Sequence, residues 1–124
     1  FTIHDINEHV RFFLNYPNRE SYDEIDRETI LGKNGPFWYR GYVEDNHEFN
    51  RLPEEELDKI LSEFQASRIF VGHTTVEKIT PLYQSRVCVM DVPFYANRAE
   101  IQGIMIDNDV LFLVNSSGDK DEFR

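Results

Sequence analysis

The apolar residues of this 124-residue chain change their spacing once, near residue 67, and that change constrains the fold more than any single motif. Before it, apolar side chains recur at intervals of three and four, as on one face of a helix. After it they come in short blocks separated by turn residues, as in strands. The spacing predicts a helix over 2–14, with Thr2 as its cap, Asp5 at the capping-box position, and Ile3, Ile6, Val10, Phe13 and Leu14 on one face. Pro17 stops it. Ser21-Tyr22-Asp23-Glu24 repeats the cap pattern and opens a short second helix, with Ile25 and Thr29 inward and Gly32 at its end. A third helix is expected over 53–64. It has proline at its first position, Glu54, Glu55 and Glu56 at the positive end of its dipole, and a stripe of Leu57, Ile60, Leu61 and Phe64 that needs a sheet to pack on. Strands are expected over 68–71, 86–92, 101–106 and 110–114, the last two forming a hairpin through Asp107-Asn108-Asp109. Helices first and strands last predict an α/β fold, with helices on one face of a mixed or antiparallel sheet that ends in a C-terminal hairpin.

The length supports one domain, here residues 1–115, followed by a polar tail over 116–124 that frays. With 40% apolar and 14% aromatic residues the chain buries enough surface to fold. The longest apolar run, Val110 to Val114, is far short of the roughly 20 residues of a membrane helix, so no span is expected. No secretory signal opens the chain, and Phe1, standing where a Met would, reads as a processing boundary. The net charge is −10, and residues 1–64 carry 15 acids against 7 bases. Such a field opposes nucleic acid and anionic membranes alike, and neither is expected as a partner. Cys88 is the only cysteine, which forbids an intrachain disulfide and fits a reducing, cytoplasmic setting. Its neighbours in Val87-Cys88-Val89-Met90 make it a buried strand residue rather than a reactive thiol.

Two places could carry chemistry. His4 and His9 lie five apart and cannot share an ion, and His47 sits in a polar loop, so these three read as surface residues. His73 differs, because it follows an apolar strand and a glycine in Ile69-Phe70-Val71-Gly72-His73-Thr74. Ligands collect beyond the carboxyl ends of strands in α/β sheets, so His73 is either a metal ligand or a histidine hydrogen-bonded to the following loop. The second place is Gly35-Pro36-Phe37-Trp38-Tyr39-Arg40-Gly41-Tyr42, where aromatic side chains crowd one arginine. Packing of that kind either holds a guanidinium fork ready for a phosphate or seals the core with a cation–π plug.

Taken together, the Gly35 to Tyr42 segment, the amphipathic helix behind it, the Ile69 to Thr74 segment and the strand ending in Asp91 resemble the C-terminal half of a calcineurin-like metallophosphoesterase of the bacterial serine/threonine phosphatase type. The resemblance spans about residues 2–115. It implies half of a metallophosphoesterase-type β-sandwich and a phosphatase that hydrolyses phosphate esters through a two-metal-activated water. Within it, His73 would be a metal ligand and Arg40 the residue holding the substrate phosphate, while Asp91 would be structural. The cofactors implied are two divalent ions, Mn, Fe or Zn, and the partners are the N-terminal half of the same protein and a phosphorylated substrate. The family's other ligand motifs, Asp-x-His, Gly-Asp-x-x-Asp-Arg, Gly-Asn-His-Glu and His-Gly-Gly, are absent from the sequence. The chain alone is therefore expected to be inactive, to hold no metal, and to form a homodimer that covers its exposed apolar sheet face. Val92-Pro93-Phe94-Tyr95 also departs from the small residue and glycine usual at that point. The alternative is a non-catalytic binding or regulatory module that shares the half-fold.

Overall fold

The computed structural model describes residues 1–17, 24–93 and 101–123. The expected α/β class holds: among the described residues three helices precede six strands, and the chain divides into two compact units, Phe1–Asn50 and Arg51–Arg124.

The first unit carries α1 (Ile3–Asn15) and α2 (Glu24–Leu31). The start of α1 is set locally. The Thr2 hydroxyl accepts from the Asp5 N–H at 3.2 Å, and the Asp5 carboxylate accepts from the Thr2 N–H at 2.8 Å, closing a reciprocal capping box. These bonds, the backbone one foremost, hold the Asp5 carboxyl below its ordinary pKa. Although α1 is amphipathic, none of its residues is buried within the described chain, and Ile3 and Leu14 are exposed. Among the described side chains of α2, Ile30 is inward, 1% exposed, and Thr29 faces outward, while the expected inward Ile25 lies outside the described side chains. Ser21 to Asp23, the expected cap, lie outside the described residues, as do Phe94 and Tyr95.

The second unit opens with α3 (Glu54–Glu63), preceded by Pro53 as N-cap, one position earlier than expected. Leu57 and Leu61 are its buried face. Three strands follow: β1 (Ile69–Val71), β2 (Thr80–Leu82) and β3 (Val87–Val89), in the order β1-β3-β2. β3 pairs parallel with β1 and antiparallel with β2, so the sheet is mixed, and Val87, Cys88 and Val89 are all fully buried. β4 (Gln102–Asp107), β5 (Val110–Asn115) and β6 (Lys120–Glu122) form an antiparallel sheet in that order. The hairpin falls where the turn residues place it: Asn108 and Asp109 take φ of 49° and 63°, the left-handed pair that a two-residue turn requires.

Arg86 ties α3 to the end of the β2–β3 turn. Its guanidinium pairs with Asp58 and, at 2.8 Å, with Glu54, while its Nε donates to the Tyr83 carbonyl at 2.9 Å. Tyr83 in turn donates its hydroxyl to the Leu52 carbonyl at 2.8 Å. The turn itself is strained, because Tyr83, Gln84 and Ser85 all have positive φ. Ser85 also buries a hydroxyl that has no hydrogen-bond partner.

Two outcomes follow for urea unfolding. Leu57→Ala should cost about 2–5 kcal/mol, since Leu57 is 0% exposed, whereas Leu14→Ala, at 77% exposure, should stay within about 0.5 kcal/mol. Ser85→Gly should stabilise the chain by about 1 kcal/mol, by relieving a left-handed residue and removing an unsatisfied hydroxyl; a destabilised variant would contradict the strained turn.

Candidate functional site

Arg40 lies in the first unit, in a run of turns that joins α2 to Asn50. The Gly35 carbonyl accepts from the N–H groups of Trp38 at 3.1 Å and Tyr39 at 3.0 Å, and the Arg40 carbonyl accepts from Val43 and Glu44, both at 2.9 Å. These bonds fold residues 35–44 into two successive turns. Gly41 lies within the second turn at a place with no room for a side chain, because a Cβ would overlap the hydroxyl end of Tyr39 and lie 2.7 Å from the Asn50 carbonyl oxygen. With that space left open, the Tyr39 ring meets Tyr42 edge-on at 5.2 Å and Phe49 at 6.1 Å.

The return strand of this loop is set by Asn46. Its side-chain oxygen accepts from the N–H groups of Glu48 at 2.8 Å and Phe49 at 2.9 Å, and its own N–H donates to the Phe49 carbonyl at 2.8 Å. Phe49, 8% exposed, is thereby turned inward. The two arms enclose a cleft of about 530 Å³ lined by Leu31, Lys33, Trp38, Arg40, Glu44, Glu48 and Phe49.

Charge in the cleft is balanced. Arg40, its side chain 20% exposed, faces Glu44 at 4.0 Å, an ion pair too long to be a hydrogen bond. Lys33 faces Glu48 at 3.3 Å and rides over the Phe49 ring at 4.8 Å. Each of the two cations thus has a carboxylate within 4.0 Å. The aromatic segment around Arg40 is legible in sequence, but Lys33, Glu44, Glu48 and Phe49 are not singled out by it. The available signal was Asn46, a residue that bonds its own backbone and turns the chain back.

His73 lies in the second unit, just after β1, exposed and with a left-handed φ of 65°. Asp91 accepts from the Thr75 hydroxyl at 3.3 Å and, through its carbonyl, from the Val76 N–H at 2.9 Å, tying down the loop after His73. Of the other histidines, His9 donates through Nδ1 to the Asp5 carbonyl at 2.7 Å, and His47 is exposed. Among the described residues no group of three or more His, Cys, Asp or Glu is placed to hold a metal ion. Cys88 is fully buried, and burial pushes its thiol pKa up, so it is unsuited to act as a nucleophile.

Against known proteins, no family model and no curated sequence matches the chain. Solved structures do. The cold-active protein-tyrosine phosphatase of a psychrophilic Shewanella species matches with a TM-score of 0.75 and 26% identity, covering 100% of this chain and 36% of that one. Two further crystal structures of cold-active protein tyrosine phosphatase, one of them a point mutant, match with a TM-score of 0.71 and 24% identity. The chain is similar in fold to part of a tyrosine phosphatase. It spans about a third of the length of these structures.

These findings correct three expectations. The resemblance to a calcineurin-like metallophosphoesterase of the serine/threonine type gives way, because all three similar structures are described as protein tyrosine phosphatases. With it goes the reading of the sheets as half of a metallophosphoesterase β-sandwich. The two-metal phosphoesterase mechanism and its pair of divalent ions are likewise set aside, since the similar structures are protein tyrosine phosphatases. The metal role given to His73 depended on that centre and is not carried forward. The error has a physical root: a glycine and histidine after a strand form a short pattern that many strand ends satisfy. The role given to Arg40 does not depend on a metal.

Gly41→Ala should disorder the loop that carries Arg40. The expected result is loss of the near-ultraviolet signal of the Tyr39 cluster with α3 and the strands of the second unit retained; an unchanged spectrum would contradict the packing described. Cys88 should resist thiol reagents in the folded chain and react only on unfolding.

Proposed function

We propose that this chain is the phosphate-recognising part of a phosphatase-type hydrolase that acts on phosphorylated protein, with Arg40 as the anchor of the phosphate. The observation that carries the reading is the placement of Arg40, mostly buried, in a cleft with a second cation, Lys33. A guanidinium presents paired N–H donors that match two phosphate oxygens, and the two backbone turns over residues 35–44 fix the place of Arg40 in advance. The fold likeness to protein tyrosine phosphatases over the whole chain supports the same class of chemistry.

On binding, the phosphate takes the place of Glu44 beside Arg40. That exchange is inexpensive, because the pair it breaks spans 4.0 Å and lacks a hydrogen bond. As negative charge builds on the phosphoryl oxygens during transfer, the same donors stabilise it. Attack on phosphorus needs an activated nucleophile, and Cys88 is buried in its protonated form. The attacking group is assigned to the part of a longer enzyme that corresponds to the remaining length of the similar structures.

Calorimetric titration with inorganic phosphate tests the anchor. Arg40→Ala should weaken binding at least about tenfold, and Arg40→Lys, which keeps the charge but loses the fork, should fall between the two. Equal affinity in wild type and Arg40→Ala, with both folded by circular dichroism, would overturn the reading.

A further inference from the structure

We infer that Glu44 makes the Arg40 cleft selective for a phosphorylated residue with a lysine or arginine next to it in the peptide, by holding a carboxylate beside the bound phosphate. The inference rests on the role proposed for Arg40 and adds a cation subsite to it. Glu44 is tied at both ends. Its N–H donates to the Arg40 carbonyl at 2.9 Å, so both side chains leave the same turn. Its Oε2 accepts from the Asn46 Nδ2 at 2.7 Å, while its Oε1 lies 4.0 Å from the Arg40 Nε. Asn46 is itself fixed, because its side-chain oxygen accepts from the N–H groups of Glu48 and Phe49. When the phosphate takes over Arg40, Glu44 therefore keeps its bond to Asn46 and stays in the cleft wall without its counter-charge.

Charge decides what the phosphate must bring with it. The cleft is lined by two cations, Lys33 and Arg40, and two carboxylates, Glu44 and Glu48, so it starts neutral. A phosphate monoester adds about 1.5 to 2 negative charges at pH 7 and leaves the site anionic. The Glu44 carboxylate, its side chain 33% exposed, then stands close to the phosphoryl oxygens. A lysine or arginine beside the phosphorylated residue supplies the missing cation, pairing with Glu44 and offsetting the repulsion between that carboxylate and the phosphate. Glu48 does not lose its counter-charge in this way, since Lys33 lies 3.3 Å from it. The wider field acts in the same direction, with ten acids against five bases in residues 1–50. A cleft of about 530 Å³ has room for a phosphate and an adjacent side chain.

The test titrates the chain by calorimetry with short peptides that carry one phosphotyrosine and are identical except for its two neighbours, which are arginine, glutamine or glutamate. The arginine-flanked peptide should bind about fivefold more tightly than the glutamine-flanked one, the size of one partly exposed ion pair. The glutamate-flanked peptide should bind most weakly, and added salt should narrow the differences. In Glu44→Gln, folded by circular dichroism, the arginine- and glutamine-flanked peptides should bind equally. Inorganic phosphate should bind that variant more tightly than wild type, because the like charge beside it is gone. Glu8→Gln removes an acid of the same unit that does not line the cleft, and should keep the fivefold preference. Equal loss of preference in the two variants would reduce the selection to the general field and overturn the role of Glu44. If all three peptides bind wild type equally and all need Arg40, cation selection is wrong and the phosphate anchor stands. If none binds, the anchor fails and this inference with it.

Discussion

The arrangement of the first unit depends on the close approach of Tyr39 to the backbone at Gly41, a contact that leaves no space for any side chain at position 41. Because that space is open, Tyr39 can lie under its own loop and engage Tyr42 and Phe49, and the turn that follows can close on the Arg40 carbonyl. Arg40 then emerges from a backbone hydrogen-bonded on both sides of it. Its side chain is 20% exposed, with Glu44 as a counter-charge at 4.0 Å.

The second unit is organised differently, around apolar burial. Val87, Cys88 and Val89 have no exposed surface, and α3 adds Leu57 and Leu61. Arg86, in its ion pairs with Glu54 and Asp58, fixes the helix against the turn from the solvent side. The same burial that stabilises β3 disables Cys88 as a nucleophile, so the residue with the most reactive side-chain type in the chain is a packing residue.

What could be read from the sequence was local. The capping box of Thr2 and Asp5, the acidic first turn of α3 and the left-handed Asn108-Asp109 pair each lie within four residues, and each is found where its chemistry places it. β2 went unseen because Thr80-Pro81-Leu82 is short and contains a proline, which an edge strand tolerates. β6, Lys120-Asp121-Glu122, reads as tail because its residues are polar; only pairing with Phe112 to Val114 makes it a strand. The partners of Arg40 were hidden for a related reason. Glu48 and Phe49 reach the cleft beside Lys33 through a chain reversal at Asn46, and no periodicity encodes that. The family resemblance failed where short patterns were combined across units whose common fold is seen in tyrosine phosphatases.

The most direct measurement of the central claim is a nuclear magnetic resonance titration of the labelled chain with O-phosphotyrosine. Shifts should concentrate in the Arg40 side-chain Nε–H, the Trp38 indole and the backbone of residues 31–49, with 53–92 unmoved. Shifts centred instead on the loop of His73, or none within 31–49 at saturating ligand, would contradict it.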